Sequence, residues 1–138
     1  MRKFLAALVV VAATLLPFQA QAESQSPALY GVLFYADWCG SCKTLDPKLT
    51  KAKADSDVGQ SDILFVRLDL TDKATKHQAS LLASALDLDG VYAENAGKTG
   101  YLAIIDADTG KTVNRVFKNM SVDEITALIK TEISKSSS

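Results

Sequence analysis

The feature that most constrains the fold of this chain is a pair of cysteines, Cys39 and Cys42, placed between an apolar run and a helical pattern. The run at residues 30–35 is aromatic and partly β-branched, which predicts a buried strand. Apolar residues four positions apart then predict a helix from about 40 to 55. The chain therefore carries a Cys-x-x-Cys pair at a strand-to-helix junction.

The spacing of the two cysteines predicts different roles for them. Residues at i and i+3 share one side of a helical turn, so Cys39 and Cys42 can form a disulfide. Cys39 lies where the helix begins, and the free backbone N–H groups and helix dipole there stabilise a thiolate. We expect Cys39 to attack a partner's disulfide and the more buried Cys42 to resolve the mixed disulfide. Lys43 adds a favourable positive charge, and Gly40 and Ser41 influence the redox balance of the pair.

Two other roles for a Cys-x-x-Cys pair fit the sequence less well. Structural zinc needs four ligands, whereas the chain has two cysteines and one histidine. That histidine, His77, lies among polar residues and is expected on the surface. An inert structural disulfide would close too small a loop to stabilise the fold much. Redox chemistry, which needs no cofactor or metal, is therefore the leading interpretation.

Residues 34–43 read Phe-Tyr-Ala-Asp-Trp-Cys-Gly-Ser-Cys-Lys and resemble the active site of the thioredoxin superfamily. Pro47 matches the proline that kinks the active-site helix of that family. In amino-acid sequence the stretch is most similar to the C-terminal periplasmic domain of DsbD-type thiol reductases. The resemblance implies a thiol–disulfide oxidoreductase of the reductase or electron-carrier kind. It also implies that Trp38 lies beside the site and shapes the docking surface, the alternative being that Trp38 fills the core.

The first 22 residues are typical of a secretory signal. A short basic start precedes an apolar run at 4–16, and Ala20-Gln21-Ala22 is a small-x-small cleavage site. An apolar run of this length is short for a bilayer span, although a retained N-terminal anchor is the alternative. We therefore expect a single domain at 23–138, located in the periplasm and without stable membrane insertion after cleavage.

Composition excludes one class of partner and suggests others. Removal of residues 1–22 takes away Arg2 and Lys3, which leaves 13 basic residues against 16 acidic ones and no reason to expect nucleic-acid binding. The remaining length suffices for one core, and we expect a monomer. Because an exported location is oxidising, a reductase there would need an upstream dithiol protein as its reductant. Its substrates would be protein disulfides.

Apolar runs, turn residues and a capping box predict the remaining elements. They are a turn at 57–61, a strand at 63–70, a helix at 73–86, an irregular segment at 87–100, hairpin strands at 101–105 and 111–117, and a last helix opened by Ser121 and Glu124. The strand at 63–70 is apolar enough to be central and parallel to the first. The order βαβαββα resembles the thioredoxin core, an α/β fold with a four-stranded mixed sheet and helices on both faces.

Three positions depart from the thioredoxin pattern. Gly100, or Thr99 if the register slips by one, stands where the family has a cis-proline beside the cysteines. Leu33 replaces a buried aspartate that relays protons, and Ser41 replaces a proline. Gly100 makes metal binding at the two thiols easier. The alternative function is therefore a non-catalytic thioredoxin-fold binding module that holds a soft metal such as Cu(I) through the cysteine pair.

The irregular segment at 87–100 would end beside the cysteines in such a fold. Two interpretations of it are equally open. It is either a partner-selecting loop that carries Tyr92 and Glu94, or a surface insertion with an extra helical turn.

Overall fold

A computed structural model describes residues 26–138, and the predicted signal with its cleavage site lies outside that range. The described strands are β1 Leu29–Tyr35, β2 Ile63–Asp69, β3 Tyr101–Asp106 and β4 Thr112–Phe117. The described helices are α1 Gly40–Lys53, α2 Ser56–Gly59, α3 Lys73–Ala85, α4 Asp89–Glu94 and α5 Val122–Ser136. Among residues 26–138, no helix combines the length and apolar character needed to cross a bilayer.

The four strands form one mixed sheet in the order β2-β1-β3-β4. Strands β1 and β2 are parallel, whereas the β1/β3 and β3/β4 pairs are antiparallel. Opposite β3, Asn114 pairs with Ile104 and Thr112 with Ile105, so Val113 is an extra, bulged residue of β4. The predicted thioredoxin-like α/β fold with a four-stranded mixed sheet is confirmed.

The prediction that the second strand is central is wrong for the part of the chain that the structure describes, where β2 is an edge strand. Its Leu64 side chain is 43% exposed. The Lys53 ammonium lies 5.5 Å from the ring centroid of Phe65, so a long charged side chain covers an apolar one at the edge. An apolar run shows that a strand has buried faces, but it does not show whether both of its edges are paired.

Each face of the sheet has its own core. On the face that we call the α3 face, residues of β1, β2 and β3 such as Phe34 and Leu68 pack with α3 and α4. On the opposite face, the α1 face, Leu45 and Leu49 of α1 pack with Ile129 of α5. These leucines are buried as predicted, and full burial of each contributes about 1.5–3 kcal/mol. The two cores pack against both faces of β1, and the core on the α1 face joins β1 to α1.

Most element boundaries agree with the sequence prediction to within one or two residues, and one short helix was missed. Helix α2 replaces the expected turn and is capped by Asp55. Helix α4 lies within the irregular segment, so the extra helical turn is present. Capping boxes begin α3 at Asp72 and α5 at Ser121. Caps of this kind satisfy backbone N–H groups that lack a partner inside the helix.

Candidate active site

The two cysteines are disulfide-bonded at the start of α1, with their Cα atoms 5.3 Å apart. Cys39 is the N-cap residue of α1, and its Sγ accepts a hydrogen bond of 3.2 Å from the backbone N–H of Cys42. Cys39 is 8% exposed, whereas Cys42 is fully buried. Only Cys39 can therefore meet an incoming disulfide, and a donor is already in place to stabilise its thiolate.

Cys42 lies in an apolar pocket with one polar atom beside it. Its Sγ is 3.6 Å from the carbonyl oxygen of Phe34, and Ala36 and Tyr35 pack against the pair. When the disulfide is reduced, the Cys42 thiol can donate to that oxygen. Leu33 points into the core on the α1 face, so no carboxylate occupies that position. The described residues contain no cluster of three or more His, Cys, Asp or Glu side chains suited to a metal ion.

Gly100 lies directly against the disulfide, at the position that the resemblance to thioredoxins implies. Its backbone N–H donates a hydrogen bond of 2.9 Å to the same Phe34 oxygen. Its φ is +96°, a value that side-chain-bearing residues rarely adopt. A Cβ at this position would lie 2.8 Å from Cβ of Ser41 and 3.3 Å from Sγ of Cys39. Both the backbone conformation and the close approach therefore require glycine.

The loop before Cys39 is tied to the end of β2 by Thr71. The Thr71 hydroxyl accepts a hydrogen bond of 2.9 Å from the N–H of Asp37 and donates to the carboxylate of Asp69. The Thr71 carbonyl accepts a bond of 3.0 Å from Nε1 of Trp38. Trp38 is 62% exposed, so it does not fill the core. Its ring is held on the surface beside the cysteines.

A set of polar contacts around Tyr35 was also not predicted from the sequence. The Tyr35 hydroxyl donates a 3.0 Å hydrogen bond to Asp37, and this bond raises the pKa of the tyrosine. The Arg67 guanidinium lies 4.3 Å from the centroid of the tyrosine ring and pairs with Asp46. These contacts fix the aromatic side chain that packs against the cysteine pair.

The remaining candidate residues have weaker contacts. Lys43 is exposed on the first turn of α1, and no described hydrogen bond or ion pair fixes its ammonium group. A Cβ added at Gly40 would meet no atom within 4 Å, so that position tolerates a side chain. Ser41 touches Gly100, as described above. Of the five surrounding residues predicted from the sequence, Trp38, Ser41 and Gly100 thus make specific contacts.

The buried side chain of Asn95 anchors the segment at 95–100. Asn95 is 2% exposed; its amide donates to the Val91 carbonyl at 2.6 Å and its oxygen accepts from the Tyr101 hydroxyl. The Tyr92 hydroxyl donates a hydrogen bond of 3.0 Å to the Lys76 carbonyl, so Tyr92 packs on α3. The buried hydrogen bonds of Asn95 therefore hold the segment that places Gly100 beside the cysteines. Tyr92 packs against α3.

Comparisons with known proteins find similarity to a family model, a curated protein and solved structures. The Thioredoxin family model matches residues 9–83, which is more than half of the chain. A 43-residue stretch is 44% identical to the protein disulfide-isomerase of Gallus gallus; it represents 31% of this chain but only 8% of that protein. The crystal structure of Trxlp from Edwardsiella tarda EIB202 covers 75% of this chain, and the match spans 84% of that protein, with a TM-score of 0.50 at 19% identity. Thioredoxin f2 of Chlamydomonas reinhardtii matches at 24% identity and a TM-score of 0.47, over 80% of this chain and 83% of that one.

Proposed function

Since the chain belongs to the thioredoxin family, we propose that it is a periplasmic thiol–disulfide oxidoreductase that acts as a disulfide reductase or electron carrier. The observation that supports this most directly is the asymmetry of the pair. The partly accessible Cys39 caps a helix and accepts an N–H hydrogen bond, while Cys42 is fully buried behind it. A nucleophile and a resolving thiol need these two environments.

The reaction proceeds in two exchange steps. In the dithiol form, the Cys39 thiolate attacks one sulfur of a partner's disulfide, and the other partner sulfur leaves as a thiol. Cys42 then loses its proton and attacks Sγ of Cys39, which forms the disulfide seen in the structure and releases the second partner thiol. Two electrons pass from the chain to the partner. The hydrogen bond from Cys42 N–H to Cys39 Sγ favours the thiolate form of Cys39, which is the attacking group of the first step.

The cellular setting belongs to the same proposal. Residues 1–22 would direct export and be removed, which leaves a monomeric domain at 23–138 in an oxidising compartment. There the disulfide would be reduced again by an upstream dithiol protein, such as a membrane-embedded one of the DsbD kind. The substrates would be protein disulfides. Expression of the full chain, followed by cell fractionation and mass spectrometry of its N-terminus, tests export and cleavage together.

Replacement of the resolving cysteine tests the exchange mechanism. In a Cys42→Ala variant the first step still occurs but the second cannot, so mixed disulfides with partners should accumulate and disappear on addition of dithiothreitol. The Cys39→Ala variant is the matched control, because it lacks the nucleophile and should trap nothing. Equal recovery of adducts from both variants, or from neither, would contradict the assigned roles.

The reduction potential tests the direction of electron flow. Equilibration of the mature protein against glutathione should give a value near that of thioredoxin, about −270 mV, if the chain is a reductase. A value near that of DsbA, about −120 mV, would instead identify an oxidant.

The alternative of Cu(I) binding rests on Gly100, which has no side chain of its own to cover Sγ of Cys39. Two thiolates suffice for Cu(I) as soft ligands. Titration of the dithiol form with Cu(I) under a competing chelator decides between the two functions. A tight one-to-one complex in a protein that does not reduce disulfides would favour the binding module.

A further inference from the structure

We propose that the outer strand β4 provides a docking groove for an extended, acidic segment of the protein whose disulfide is exchanged. This inference rests on the proposed function, because it names the chemistry that the same redox site prefers in its protein substrates. The groove, here called the β4 groove, is a shallow depression of about 320 Å³ lined by Thr112, Val113, Asn114, Arg115 and Phe117. Strand β4 has only one neighbouring strand in the described sheet, so its outer edge is free.

The register of β4 determines which side chains line the α3 face. Arg115 pairs with Ala103, and Phe117 pairs with Tyr101, two β3 residues that belong to the core on that face. Arg115 is exposed, and Phe117 is 46% exposed. No β4 residue belongs to the core cluster on the α3 face. A cation and an aromatic ring therefore lie side by side on a surface of the described chain that no helix covers.

Contacts with Tyr101 connect the residues of the β4 groove to the neighbourhood of the redox site. The ring centroids of Phe117 and Tyr101 are 6.1 Å apart, and the Arg115 guanidinium lies 5.9 Å from the Tyr101 centroid. Tyr101 follows Gly100, where an added Cβ would lie 3.3 Å from Sγ of Cys39. A chain bonded to Cys39 thus needs to extend by only a few residues, at about 3.3 Å each, to reach Arg115.

Charge identifies the kind of segment that would occupy the groove. Residues 111–118 contain Lys111, Arg115 and Lys118 and no acidic residue, in a chain where acidic residues outnumber basic ones by 16 to 15. All three cations are exposed, and none of them forms an ion pair within 4 Å in the described chain. By contrast, the carboxylate of Glu132 approaches β4 from the α1 face and is engaged by Asn114 and Lys135.

The spacing on β4 defines a recognition pattern. Arg115 and Phe117 are two residues apart on one strand, which separates them by about 6.8 Å. Alternate side chains of an extended peptide have the same spacing, so one peptide face can present an acidic group to Arg115 and an apolar group to Phe117. The preferred segment therefore has an acidic residue two positions from an apolar one.

Kinetics with matched peptides test the groove. Three extended peptides of equal length differ only in carrying acidic, neutral or basic side chains, and each has one cysteine in a mixed disulfide with 2-nitro-5-thiobenzoate. Release of the chromophore reports attack by Cys39. We expect kcat/KM to be highest for the acidic peptide, and Arg115→Gln to lower that value about fivefold while changing the neutral peptide less than twofold. Arg115→Glu should reverse the order of acidic and basic peptides, and 0.5 M salt should remove the preference.

The control variant is Lys53→Gln, which removes an exposed cation at the opposite edge of the sheet, over Phe65. It should leave the peptide preference unchanged. Equal effects of Lys53→Gln and Arg115→Gln would show that total charge alone steers the peptides, and would overturn the groove. The same conclusion follows if wild-type protein shows no acidic preference, or if sedimentation at assay concentrations shows a dimer that Arg115→Glu dissociates.

Two further measurements separate this proposal from the proposed function. Failure of the wild-type dithiol protein to reduce 2-hydroxyethyl disulfide, a neutral compound too small to reach β4, would count against the oxidoreductase itself. The groove is then judged by direct binding: a cysteine-free acidic peptide should shift the NMR signals of residues 111–118 in wild type and fail to do so in Arg115→Glu. Absence of such shifts in wild type would overturn the groove.

Discussion

Replacement of Gly100 by alanine should destabilise the protein through two effects that the chain allows to be measured separately. The first is backbone strain, because alanine would have to adopt a φ of +96°, at a cost of about 1–2 kcal/mol. The second is crowding, because the new Cβ would lie 2.8 Å from Cβ of Ser41 and 3.3 Å from Sγ of Cys39. Forcing atoms into a packed site costs about 1–3 kcal/mol. The expected total loss is about 2–5 kcal/mol.

Gly97 offers the matched control. Its φ is +78°, and a Cβ there would meet no atom within 4 Å. Gly97→Ala should therefore show the strain without the crowding, and both variants reduce the entropy of the unfolded chain in the same way. Urea unfolding of the disulfide forms, analysed at equal m-values, should place Gly100→Ala about 1–3 kcal/mol below Gly97→Ala.

A third variant locates the crowding. Addition of Ser41→Gly to Gly100→Ala removes the 2.8 Å contact but leaves the strain and the contact with Cys39. The double variant should recover part of the loss, with a coupling energy of about 0.5–3 kcal/mol. Equal stabilities of Gly97→Ala and Gly100→Ala, within about 0.5 kcal/mol, would refute the conclusion that the site requires glycine because of its packing against Ser41.

Two further predictions concern the loops around the site. Thr71→Val removes the acceptor of the Asp37 N–H, which should lower the free energy of unfolding by about 1–2 kcal/mol. It should also lower the fluorescence anisotropy of Trp38, the only tryptophan of the chain. An unchanged anisotropy would contradict the role of the loop in holding the ring. Hydrogen bonds from Thr75 lower the pKa of Asp72, so its capping contribution is present above the unfolded-state pKa of about 3.8 and is lost as the pH falls through the folded-state value. Asp72→Asn should therefore flatten the fall in Tm between pH 5 and pH 3, and parallel Tm curves for the two proteins would count against this.

The sequence predicted best those elements whose signals are local. The apolar run of β1, the i, i+4 leucines of α1 and the Ser121–Glu124 capping box each lie within a few residues, so pattern and structure agree. Helix α4 was harder, because six residues are too few for a periodic pattern and Gly90 lies inside it. The edge position of β2 depends on which other strands are present, which its own residues do not encode.

The distinction between local and long-range signals also separates the site residues that the sequence predicted from those that it did not. Cys39 and Cys42 are recognisable because their spacing is itself the chemical signal. Thr71 acts on Asp37 and Trp38 across 33 or 34 positions of sequence, and Arg67 reaches Tyr35 across a strand pair. Hydroxyl and guanidinium groups are common on surfaces, so nothing in the sequence distinguishes these two. Their roles depend on the parallel register that places the end of β2 beside the end of β1.

Because the disulfide lies within a single helical turn, the reduction potential of the pair is linked to the free energy of unfolding. Because the cysteines are three positions apart, the unfolded chain can form the same bond, and a thermodynamic cycle connects four states: folded or unfolded, each with or without two electrons. The difference in unfolding free energy between the disulfide and dithiol forms then equals the shift in potential that the fold imposes, with about 1.4 kcal/mol for every 30 mV. A fold that favours the disulfide makes its dithiol a stronger electron donor. If the fold makes this chain a stronger electron donor than its unfolded state, the dithiol form unfolds more easily than the disulfide form.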